Sequence, residues 1–110
     1  MAYFYRGMRV LIAGFGDRKL LDQTMEELIA ASGCYLFTVV CVNENSLGAA
    51  WARDCGAPLE FLRDQSLERI ATAADFLIAY NDGTDQNVKR LIMLFRASGR
   101  HGKVISPASP

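Results

Sequence analysis

Histidine is nearly absent from this chain. The only one, His101, stands between Gly99 and Gly102 in what reads as a solvated turn after a helix. No Cys/His set with metal-ligand spacing exists, so no metal is expected. Cysteine is scarce as well. Cys34, Cys41 and Cys55 are odd in number and form no C-x-x-C, which argues against a disulfide framework and for reduced thiols in the cytoplasm. Each lies among apolar neighbours, as buried filler does. An excess of either charge is also missing. Twelve Lys and Arg balance twelve Asp and Glu, without the basic surplus that a nonspecific nucleic-acid binder carries. No apolar run reaches the ~20 residues of a membrane span. The opening "MAYFYRG" lacks the basic start and long apolar stretch of a signal peptide. A nucleophile elbow and a Walker lysine are absent too.

What the chain has is hydrophobicity, 51% of its residues, enough for the core of one compact domain. Short β-rich runs alternate with helical stripes. "MRVLIAG" (8–14) reads as a buried strand. A helix over 19–32 places Leu20, Leu21, Met25, Leu28 and Ile29 on one face, and Gly33 suits its C-terminus. "YLFTVVCV" (35–42) is nearly continuous in apolar and β-branched residues, the mark of a strand covered on both faces. A helix over 47–55 turns Leu47, Trp51 and Cys55 inward, with Ser46 as its cap. "PLEFL" (58–62) is a short strand. A helix over 66–74 buries Leu67, Ile70 and Ala71. "DFLIAY" (75–80) is a central strand. The helix over 85–98 buries Val88, Leu91, Ile92 and Phe95, and "KVI" (103–105) closes the order. The expected fold is a three-layer, doubly wound, Rossmann-like α/β domain with a mostly parallel five-stranded sheet. Residues 1–7 form an N-terminal extension, 8–106 the domain and 107–110 a tail.

Ligands of open parallel sheets gather beyond the carboxyl ends of the strands. Three polar loops project there: Gly14 to Arg18, Asn43 to Gly48, and Asn81 to Asn87. Each leads into a helix N-terminus, where free N–H groups and the helix dipole favour an anion. Gly14, Gly16, Gly48 and Gly83 let backbone approach a ligand. Arg18 offers a forked contact to phosphate or carboxylate. Asp17, Asn43, Asn45, Ser46, Thr84 and Asn87 suit ribose hydroxyls or base edges, and Phe15 and Asp82 complete the candidate set. Ordinary turn and cap chemistry accounts for the same residue types. A magnesium ion between Asp17 and Asp82 has no spacing argument behind it.

Three segments carry a family resemblance. "MRVLIAGFGDRKLLDQTMEEL", "NSLGAAWARDCGAPLEFL" and "ADFLIAYNDGTDQNVKRLIMLFRASGRHGKVI" together resemble the small Rossmann-like proteins of the SLOG superfamily, especially the YspA/YpsA-like branch. The resemblance covers nearly the whole chain, in order and spacing more than in any single motif. It implies a site for nucleotides or NAD- and ADP-ribose-like molecules. Carried over by position, that site holds Gly14, Gly16, Asp17 and Arg18, then Ser46 and Gly48, then Gly83 and Thr84. Some relatives, the LOG-type phosphoribohydrolases, cleave nucleoside monophosphates, and others, the DprA proteins, bind single-stranded DNA.

Departures from the pattern point away from hydrolysis. The hydrolase phrase Pro-Gly-Gly-x-Gly-Thr-x-x-Glu is shortened here to "NDGTDQN", and Asn87 stands where the glutamate would be. Asn has no charge with which to act as base or to steady a positive sugar centre. The leading glycine pair and an Arg-Asn segment before the fourth strand are missing too. A second resemblance, to NAD-binding regulatory domains of potassium-transport systems, would give the ribose hydroxyls to Glu44. The missing third glycine after Gly14-x-Gly16 and the segment "WARDCGAP" favour SLOG.

The expectation is a domain that senses or sequesters a nucleotide derivative. Alternatives are an N-glycosidic hydrolase with Asp17 or Asp82 as its carboxylate, and a protein-interaction module. Met93 and Leu94 lie off the main stripe of the last helix, where a second subunit could cover them in a homodimer.

Overall fold

The structure is a computed structural model and describes residues 8–32, 37–63 and 66–106. Nine elements follow in strict alternation: β1 (Met8–Ala13), α1 (Arg18–Ser32), β2 (Phe37–Cys41), α2 (Leu47–Cys55), β3 (Leu59–Phe61), α3 (Leu67–Thr72), β4 (Phe76–Tyr80), α4 (Gln86–Ala97) and β5 (His101–Ile105). The five strands form one sheet in the order β3-β2-β1-β4-β5. Every pairing is parallel, so the fold is Rossmann-like and doubly wound. Strand order reverses between β1 and β4, whose register runs from Val10↔Phe76 to Ala13↔Ala79.

The near-continuous apolar strands follow from this layering. Side chains alternate across a strand, so a strand covered on both faces must be apolar at every position. Val10, Ile12, Val39, Cys41, Ile78 and Tyr80 pack on the face covered by α1 and α2, with Leu21, Met25, Trp51 and Ala52. Leu11, Val40, Leu77 and Ala79 pack on the opposite face beneath α3 and α4, with Ile70, Ala71, Leu91 and Phe95. Adjacent residues of one strand thus serve two cores.

The helices begin and end where local chemistry allows. Ser46 accepts the Ala49 N–H and caps α2, while Gly56, at φ 70°, ends it in the left-handed region. Ser66 caps α3 through the Arg69 N–H. The Asp85 carboxylate accepts the N–H groups of both Asn87 and Val88 at the start of α4.

Several expectations change in the structure. Cys41 is buried as expected, but Cys55 is exposed. Cys55 is the last residue of α2, where the chain turns off at Gly56, so its inward spacing meets no core. Val42 stands beyond the end of β2 and is 46% exposed. His101 is exposed but belongs to a strand: β5 starts there, paired with Phe76, and extends to Ile105. Leu94, taken for a dimer contact, packs against the chain's own core, whereas Met93 is 61% exposed. Gly33, Cys34, the first two residues of the expected second strand, the segment 1–7 and the tail 107–110 lie outside the described residues. Among the described residues, no helix is long and apolar enough to cross a membrane.

Candidate functional site

Parallel strands send every strand-to-helix loop to one rim, and the order β2-β1-β4 sets the three polar loops side by side there. Among the described residues, two clefts open at that rim, one on each face of the sheet. The larger, about 590 Å³, lies on the α3/α4 face. Its apolar wall includes Leu11, Val42, Leu67, Ile70, Val88 and Leu91, and its polar groups come from Asn43, Ser46, Ser66, Asp85 and Asn87. Gly14 and Phe15 form its edge. The smaller cleft, about 240 Å³, is lined by Phe15, Gly16, Asp17, Leu20, Tyr80, Asn81, Asp82 and Ile105. Phe15, 71% exposed, lines both clefts.

The expected site residues therefore divide. Gly14, Phe15, Asn43, Ser46 and Asn87 meet in the larger cleft, while Gly16, Asp17 and Asp82 face the smaller one. Arg18, Asn45, Gly48, Gly83 and Thr84 line neither. Arg18 instead lies between two carboxylates, with Nε 2.9 Å from Asp22 and Nη1 2.9 Å from Asp54 on α2. Its hydrogen bond to Asp22 holds its pKa above the ordinary value; burial opposes this, and the bond to Asp54 and both carboxylate charges reinforce it. Glu44, the ribose-binding candidate of the second resemblance, is ion-paired with Arg63.

The glycines explain much of this division. Gly14 has φ 87°, and a Cβ there would sit 2.6 Å from the Tyr80 carbonyl oxygen. A Cβ on Gly16 would run into the Tyr80 ring. The Tyr80 hydroxyl then donates to the Asp17 carbonyl at 2.8 Å, closing the loop over the end of β4. Burial pushes the Tyr80 phenol above its usual pKa. Gly48 brings α2 against the sheet, since a Cβ would lie 2.9 Å from both Cys41 Sγ and Ile12 Cβ. These three glycines are required by the protein's own packing. Gly83 differs: its φ is 87° and nothing lies within 4 Å of a Cβ there.

Side chains already satisfy much of the rim. The Asp17 carboxylate accepts the Lys19 N–H at 2.9 Å, and the Asn43 side chain accepts the Asn45 N–H at 2.9 Å. Asp82 accepts from the Thr84 hydroxyl at 2.7 Å and the Thr84 N–H at 2.8 Å. These bonds, the hydroxyl first, hold the Asp82 carboxyl below the ordinary range. Cys41 lies beneath Ser46, and burial pushes its thiol up, which suits core filler better than a nucleophile. Among the described residues, no group of three or more His, Cys, Asp or Glu is arranged to hold a metal ion.

Asp85, Ser66 and the apolar wall are cleft residues that the loop-by-loop reading missed. Asp85 and Ser66 were legible as helix starts. That they face one cleft depends on α3 crossing to the side of α4, which no local pattern reveals.

No protein-family model and no curated protein matches this chain. The SLOG resemblance is carried by the quoted motifs alone.

Proposed function

We propose that the protein binds a small molecule built on a nucleoside, of the nucleotide, NAD or ADP-ribose class, and senses or sequesters it rather than hydrolysing it. One observation carries this reading: a cleft of about 590 Å³ opens at the rim where strand order reverses, with Phe15 at its edge and the amides of Asn43 and Asn87 beside an apolar wall. That volume falls within the ~300–1,000 Å³ of small-molecule sites, and reversal points are where open α/β sheets take ligands. Asp85, the single carboxylate among the described lining residues, caps α4 through Oδ1, and Asn87 is uncharged. Neither is set as a free general base. Kinship with SLOG proteins is part of the same proposal, as is a cytoplasmic location. Self-association through α4 is a lesser part, resting on exposed Met93; a monomer in sedimentation removes it.

Thermal melting with adenosine, AMP, NAD and ADP-ribose tests the reading. A ligand that binds only the folded chain raises Tm by mass action. The expected result is a rise with at least one of the four, lost in Phe15→Ala while the unliganded Tm stays within about 2 °C, as for other exposed-site changes. No rise with any of them overturns it.

A further inference from the structure

We propose that the larger cleft selects an uncharged nucleoside over its 5′-phosphorylated form. The inference rests on the reading above that a nucleoside unit is bound, and narrows it by disfavouring ligands that bring a phosphate into this cleft. The cleft recognises a flat apolar body. Leu67, Ile70 and Leu91 offer hydrocarbon walls, and Phe15 offers an open ring at the edge on which a heterocycle can stack. Asn43 and Asn87 can each donate and accept, as base edges require.

Among the described lining residues, no charged group of the kind that recognises a phosphate is present. No Lys, Arg or His is among its described lining residues. Three arginines near this rim serve other groups: Arg18 faces Asp22 and Asp54, Arg63 faces Glu44, and Arg53 donates to the Glu44 carbonyl at 3.1 Å.

The helix N-terminus that would attract an anion is already taken by one. Asp85 Oδ1 accepts the Asn87 N–H at 2.9 Å and the Val88 N–H at 3.2 Å, so the carboxylate occupies the place where a phosphate would sit at the start of α4. The remaining oxygen of Asp85 suits a ribose hydroxyl, which donates, and repels a phosphate, which only accepts. The other helices at this rim begin on Asp17, Ser46 and Ser66, another carboxylate and two neutral hydroxyls.

Calorimetric titration of the full chain with adenosine, guanosine, cytidine and uridine, each beside its 5′-monophosphate, tests this. At least one nucleoside binds, and its monophosphate binds about ten-fold more weakly or worse, the scale of a like-charge contact near a protein surface. Asp85→Asn keeps a competent cap and narrows that gap to about three-fold or less by removing the repelling charge. A monophosphate that binds as tightly as its nucleoside overturns the selectivity and leaves the binding reading standing. A gap unchanged in Asp85→Asn overturns the assignment of the repelling charge to Asp85. Silence from all eight compounds overturns the selectivity, while the melts with NAD and ADP-ribose decide the binding reading.

Discussion

The first and third loops of the rim look alike in sequence and differ in what holds them. Gly14-Phe15-Gly16 is locked from within. The Tyr80 carbonyl blocks the Cβ position of Gly14, the Tyr80 ring blocks that of Gly16, and the Tyr80 hydroxyl bonds the Asp17 carbonyl. Beyond the Asn81 N–H, which donates to the Ile105 carbonyl at 2.9 Å, Asn81 to Asn87 is held by its own bonds. Asn81 accepts the Gly83 N–H at 3.0 Å, Asp82 accepts from Thr84, and Gly83 has open space around it. A glycine near a strand end can thus record either an internal contact or a free backbone position. Only the first kind ties the loop to the core.

The sharpest way to break this comparison is Gly14→Ala. It combines a positive φ with a Cβ 2.6 Å from a backbone oxygen that cannot swing away. The expected loss is about 3 kcal/mol, from backbone strain and overpacking together, read as a lowered urea midpoint at unchanged slope. A loss under about 1 kcal/mol would mean that the first loop is as loosely held as the third.

Gly83→Ala sharpens the contrast from the other side. Here only the left-handed backbone resists a side chain, so the cost should be about 1 kcal/mol. Equal costs at the two glycines would remove the distinction drawn between the loops.

The smallest effect concerns acid stability in the third loop. The folded-state pKa of Asp82 is lowered by the Thr84 hydroxyl and N–H. The unfolded chain therefore binds this proton at higher pH than the folded chain does. The contribution is fully present above the unfolded carboxylate value of about 4 and is lost as pH falls through the lower folded value. Thr84→Val removes the hydroxyl donor and should flatten the fall of Tm between about pH 5 and 2.5. An unaltered acid limb in that variant would show that the bond from the Thr84 hydroxyl to Asp82 stabilises nothing. Asp82 is fully exposed, so the flattening should be slight.

The alternation of elements was readable because each element writes its own periodicity. Leu67, Ile70 and Ala71 on α3, and Val88, Leu91, Ile92 and Phe95 on α4, are all inward as their spacing requires, though Leu67 is only partly buried. The nearly continuous apolar and β-branched run of β2 correctly implied two covered faces. The site was less legible. Arg18 reads as a phosphate contact because its partner Asp54 lies on another helix. Gly16 reads as a ligand cradle because the ring that fills its space arrives with β4. Asp85 reads only as the start of a helix until the crossing of α3 places it beside Ser66 at one opening.

Hydrophobic period and turn chemistry act between near neighbours, so the amino-acid order was enough to determine the strands, helices, caps and double-sided core. The side-by-side order of β2, β1 and β4, the filling of the Gly16 space by Tyr80, the diversion of Arg18 and the opening between α3 and α4 were decided only by the assembled structure. Each of these joins residues far apart along the chain, and packing and charge pairing between such residues depend on distances that exist only once the layers have closed on one another.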